Sequence, residues 1–127
     1  METEAQAHVN KANSYLNESQ YDLAIAECSQ AIRLDPGLYI AYLNRASAYS
    51  LKGQPDLVIV DCNQAIQLEP KLPLAYLSRG MAYRSLGRKA EALEDFKKFV
   101  ALAEDSPLVK IVEKQMPPPS IFTRFED

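Results

Sequence analysis

The stretch ECSQAIRLDP, residues 27–36, returns 34 residues later as DCNQAIQLEP, residues 61–70. Near copies at a fixed offset are the signature of a repeat architecture. The interval holds along the chain. Ala12, Ala46 and Gly80 keep it, as do Tyr15, Tyr49 and Tyr83. So do Ala24, Val58 and Ala92, then Cys28, Cys62 and Phe96. Ile32 with Ile66, and Pro36 with Pro70, continue the series.

The period has a mechanical meaning. Two helices of about 13 residues and two short turns fill it. Helical spacing supports that division. Tyr42, Ala46 and Tyr49 share one face of 39–51, and Leu23, Ala24, Cys28, Ala31 and Leu34 line a face of 21–34. Gly53 and Gly87 follow first helices, while Asp35-Pro36-Gly37 and Glu69-Pro70 end second helices. Pro55 suits a first helical turn, where its missing N–H costs nothing. Small residues at 12, 46 and 80 let helices cross closely, and the tyrosines one turn later fill the space between hairpins. Each hairpin leaves an apolar face that stacking buries.

These positions resemble the tetratricopeptide repeat family. Its motif asks for a large apolar, a small and an aromatic residue in the first helix. It asks for small, large and small residues in the second, then proline. The first repeat spans about 5–38, the second 39–72 and the third 73–106, with a capping helix over 107–116. The resemblance implies an all-α fold, a right-handed superhelical α-solenoid of antiparallel hairpins. Three positions depart from the motif: His8 replaces a large apolar residue, Phe99 a small one, and Glu104 the proline. End repeats are often atypical because one side faces water or a cap. In the cap, Leu108, Ile111 and Val112 are read as one apolar stripe. The last stretch, 117–127, opens with three prolines, which exclude helix. It is expected to be a flexible tail.

Composition excludes several function classes. The chain is 47% hydrophobic with a net charge of -3, and nucleic-acid binding needs a basic footprint. No run of about 18 apolar residues is present, so no membrane insertion is expected. The N-terminus lacks the pattern of a secretory signal, and a reduced, cytoplasmic protein is expected. Two cysteines outside any CxxC pair, with one histidine, make no zinc set. Cys28 and Cys62 read as small buried hydrophobes. His8 has no evident partner to orient it as a base. With no phosphate loop, GxSxG or HExxH, neither an enzyme nor a cofactor is expected.

The resemblance implies a concave groove lined by first helices, where a partner's peptide lies. Helical spacing selects its candidate lining. Asn10, Asn13 and Asn17 share a face of the first repeat; Asn44, Ser47 and Leu51 continue it; Leu77, Met81, Arg84 and Arg88 follow in the third. Asparagine offers both donor and acceptor to a peptide backbone. The first-helix segments 5–17, 39–51 and 73–85 hold no acid but carry Lys11, Arg45, Arg79 and Arg84. The second-helix segments hold seven acids: Asp22, Glu27, Asp56, Asp61, Glu91, Glu94 and Asp95. One reading is a groove favouring acidic segments or a C-terminal carboxylate. The other is that Lys11, Arg45 and Arg79 are solvated flank residues.

One subclass of the family clamps the C-terminal carboxylate of heat-shock chaperones with three cations and two asparagines. Here Asn13 and Asn44 fit, but the cation positions hold Val9, Leu74 and Ser78. Chaperone-tail binding is therefore not expected. The reading is a protein-binding adaptor or scaffold that takes an extended or helical segment of its partner. The alternative is a self-assembling scaffold, a homo-oligomer in which Ile121, Phe122 and Phe125 of the tail dock in a neighbour's groove.

Overall fold

The computed structural model describes residues 1–116. The expectations for residues 117–127, both the flexible tail and its docking, lie outside them. Seven helices follow one another: α1 (Glu4–Asn17), α2 (Tyr21–Leu34), α3 (Tyr39–Leu51), α4 (Pro55–Leu68), α5 (Pro73–Ser85), α6 (Lys89–Leu102) and α7 (Leu108–Gln115). Among the described residues there is no strand. Each helix packs on the one before it. In addition α1 touches α3, and α3 touches α5, whereas α2, α4 and α6 do not touch one another. The first helices therefore form the inner row of a curved array and the second helices the outer row. This is an α-solenoid of antiparallel hairpins.

The start of α1 is closed by a capping box. The Gln6 amide donates to the Thr3 hydroxyl at 3.1 Å, and the Thr3 amide donates to the Gln6 side chain at 2.9 Å. Pro55 and Pro73 open α4 and α5. The turns inside the hairpins need one left-handed residue each. Gly53 and Gly87 supply it with φ of 71° and 77°, and Ser19 takes the same place with φ of 60°. A side chain there costs about 1 kcal/mol that glycine avoids.

The core repeats with the sequence. Ala12, Ala24, Cys28 and Ala48 pack together, and Ala46, Val58, Cys62 and Ala82 form the corresponding cluster one repeat on. The third repeat keeps the site but changes the sizes. Phe96 stands where the cysteines stood, and Gly80 where the alanines stood. A Cβ on residue 80 would lie 2.7 and 2.8 Å from the Phe96 ring, so the large residue needs the missing one. Phe99, at the position of Ala31 and Ala65, is 1% exposed and packs with Phe96, Tyr76 and Val112. The larger side chains pack against Val112 of α7.

The cap differs from its expected stripe. Val112 is buried, and Val109 and Met116 pack beside it on the Phe96–Phe99 cluster. Leu108 and Ile111 instead remain exposed. Residues at 109, 112 and 116 share the face turned to α6, which the set 108, 111, 112 straddles. The 34-residue period reaches into α7: Pro73 and Leu74 recur as Pro107 and Leu108. Where α5 carries Tyr76 and Gly80, however, α7 carries Lys110 and Lys114, which would repel a further second helix.

The tyrosines at the family's large-apolar position reach back one repeat. The Tyr42 hydroxyl donates to the Pro36 carbonyl at 3.2 Å, and the Tyr76 hydroxyl to the Pro70 carbonyl at 2.9 Å. His8 has no preceding repeat to reach. Contrary to the expectation that it lacks a partner, its Nδ1 lies 2.6 Å from Glu27 Oε2. Cys28 and Cys62 are fully buried. Burial pushes both thiols up to about 12 from 9.0. Native protein at pH 8 should leave both unmodified by a thiol reagent, and label on unfolding. The folded state holds their protons more tightly than the unfolded state. Stability should therefore fall as pH rises above 9, and a Cys28→Ala, Cys62→Ala protein should lose that fall.

Candidate functional site

The inner face is fixed by one contact between neighbouring first helices. Asn44 Nδ2 of α3 donates to Asn13 Oδ1 of α1 at 2.8 Å. Residues 31 apart thus meet across the row, and each amide keeps further donor and acceptor capacity. Asn10 is exposed one turn before Asn13, with its amide on Glu2. Ser47 donates back to the Leu43 carbonyl at 3.2 Å within α3. Met81 is 45% exposed on α5 and borders a small cavity shared with Ser50, Val58 and Arg84. Arg84 lies over the Phe96 ring, 5.8 Å from its centre, and donates to Gln115.

The remaining expected residues sit differently. Asn17 and Leu51 are the last residues of α1 and α3, at one end of the array. Leu77 is half-buried against the Phe96–Phe99 cluster, which leaves it less to offer a ligand. Arg88 departs from the expected stripe. Helix α5 ends at Ser85, so the helical spacing that joined Arg88 to Arg84 does not extend that far. It precedes α6, pairs with Glu91 at 2.6 and 2.7 Å, and lies over Tyr83.

Two of the first-helix cations, Arg45 and Arg79, have a different role from either reading of them. Arg45 donates to both oxygens of Asp61 at 2.7 and 2.8 Å, and to the Ser29 hydroxyl at 3.2 Å. Arg79 repeats the pattern with Asp95, both bonds at 2.8 Å, and with Asn63 at 2.9 Å. Each guanidinium therefore ties its own hairpin to the preceding second helix. These are neither groove cations nor solvated flanks. Asp61 and Asp95 are 2% and 4% exposed, and their bonds raise the arginine pKa values against the opposing effect of burial. The separation of acids from bases between the two helix types places opposite charges across each hairpin. A signal was available: Arg45 and Asp61, and Arg79 and Asp95, are each 16 residues apart.

The five positions of the chaperone-tail clamp are spread over this face. Asn13 and Asn44 are joined, Val9 is buried, Ser78 is half-buried and Leu74 is 47% exposed. The face offers amides, hydroxyls and apolar side chains, with Arg84 at the α5 end. Among the described residues, no cluster of side chains could hold a metal ion, and no helix is long and apolar enough to cross a membrane.

Comparison with known proteins bears on this architecture. Models of the tetratricopeptide repeat match residues 5–38, 39–72 and 73–106. No match is found among curated protein sequences. Solved structures are similar over most of the chain. The TPR domain of OM64 from Arabidopsis is 29% identical, with 88% of this chain and 93% of that one covered and a TM-score of 0.84. The second TPR domain of human RPAP3, in complex with the HSP70 peptide SGPTIEEVD, is 27% identical. It covers 88% of this chain and 93% of its own, with a TM-score of 0.82. The TPR domain of Sgt2 from Aspergillus fumigatus is 25% identical over 91% of this chain and 78% of its own, with a TM-score of 0.84. Three matched repeats, an inner row of first helices and neighbours of one architecture agree: the chain belongs to the tetratricopeptide repeat family.

Proposed function

We propose that this protein is a non-catalytic adaptor of the cytoplasm that holds an extended or helical segment of a partner protein against its concave face. The Asn13–Asn44 bridge carries this reading. Paired amides held on adjacent helices can meet a peptide backbone without reading its side chains. Asn10, Asn17, Ser47 and Leu51 flank them, and Leu77, Met81 and Arg84 form the far end. The peptide held by the human RPAP3 domain supports the mode of binding. A preference for acidic or C-terminal segments now rests on Arg84, because Arg45, Arg79 and Arg88 are already paired with Asp61, Asp95 and Glu91.

The clamp positions lead to a prediction. Three missing cations at Val9, Leu74 and Ser78 remove most of the charge-assisted bonding to a terminal carboxylate. Titration with the peptide SGPTIEEVD should give no saturable heat or shift up to about 1 mM. Saturation at micromolar peptide would sink that expectation.

The groove reading is tested by panning displayed random peptides on the protein and on an Asn44→Ala, Arg84→Ala variant. Enriched peptides should bind the parent and lose at least about tenfold in affinity on the variant, the loss of two polar contacts. The melting temperature should fall by only a few degrees, the loss of the Asn13–Asn44 bond and of the Arg84 contacts with Phe96 and Gln115. Equal binding by both proteins would place the site elsewhere.

A further inference from the structure

We propose that the stretch SIFTRFED, residues 120–127 of the same chain, seats Phe125 in an apolar slot between α5, α6 and α7, with Glu126 and Asp127 at its cationic rim. The slot is a cavity of about 530 Å³ walled by Ala92, Leu93, Phe96 and Met116, with Arg84 and Lys89 at its edge. Its origin is visible in the repeat. At the preceding junction the second half of α5, through Met81, Ala82 and Ser85, closes on Pro55 and Val58 of α4 and leaves about 110 Å³. Helix α7 stops at Gln115, and among the described residues none closes on α6 as the second half of α5 closes on α4. The uncovered length of α6, Lys89 to Phe96, is about 10 Å.

The chemistry of the occupant follows from the slot. An aromatic floor asks for a large apolar side chain, and two cations at the rim ask for carboxylates beside it. Residues 125–127 are Phe-Glu-Asp. Length also suits. Phe125 follows Met116, itself a wall of the slot, by nine positions, which extended span up to about 30 Å. Tethering raises the local concentration of the segment into the millimolar range, so the Phe125 anchor and the two carboxylates at the rim together need supply only about 4 kcal/mol.

The chain contains no tryptophan, so Phe125→Trp in the full-length protein gives a clean reporter. Acrylamide should quench it about threefold more slowly than the same residue in a synthetic peptide of 116–127, the effect of a mostly occupied tethered site. The protection should not depend on protein concentration. Ala90→Arg, an exposed position on α6 lining the slot, and separately Lys89→Glu, should restore the rate of the free peptide with helicity and melting temperature unchanged. Quenching equal to the free peptide would overturn the proposal. So would protection that survives both slot variants, or protection that grows with concentration, which would assign the segment to a neighbouring copy.

Discussion

Asp61→Ala is expected to destabilise the protein by about 3 kcal/mol, the cost of leaving a guanidinium without its buried partner. Arg45 would lose both strong bonds while its side chain stays four-fifths covered. For a domain of this size the melting temperature should fall by about 10 °C. The comparison that isolates the pair is Arg45→Met with Asp61→Leu. Replacing both charges by apolar side chains of similar volume should cost about 1 kcal/mol or less. Thermal melts of both singles and the double decide this. Additive losses would mean that the two residues act independently. Asp95 with Arg79 should behave in the same way, since their geometry repeats.

The second large effect concerns the paired sizes at the third hairpin. Gly80→Ala alone improves helix propensity by about 1 kcal/mol, but its Cβ would press into the Phe96 ring and into Asp95 at 3.1 Å. The ring is packed against Tyr76, Ala92, Phe99 and Val112, and can yield only toward the slot between α5, α6 and α7. Overpacking of this kind costs about 1–3 kcal/mol beyond the propensity gain. Phe96→Cys alone opens a cavity and should cost about 3–5 kcal/mol. Together they restore the alanine and cysteine of the first two repeats. Their combined loss should be smaller than the sum by at least about 1 kcal/mol in denaturant titrations. A sum of the two would remove size compensation as the explanation.

The fold was legible because the same helical hairpin is written three times. A spacing of 34 residues carries the hairpin, its turns and its small-residue contacts at once, and α1 through α6 lie where the spacing puts them. What a single helix periodicity cannot tell is which flank a residue takes once two neighbours are present. Arg45 and Arg79 looked like a first-helix charge bias because their acceptors lie 16 residues away, on the other arm of the hairpin. Arg88 was joined to Arg84 by a spacing that holds only while the helix lasts, and α5 ends at Ser85. His8 looked isolated because its partner Glu27 is likewise on the opposite arm. Asn13 and Asn44 were selected by spacing and by likeness to the family, and their mutual bond emerged only with the packing of α1 on α3.

The account stands on the concave face being the surface that holds a partner. Its most direct test is a nuclear magnetic resonance titration of the isotope-labelled protein with the best peptide from panning. Amide and side-chain signals of Asn13, Asn44, Ser47, Met81 and Arg84 should move together and saturate with one affinity, while the exposed outer residues Leu23, Leu57 and Val60 stay still. Shifts confined to the outer row, with the Asn13 and Asn44 side-chain signals unmoved at saturation, would contradict it.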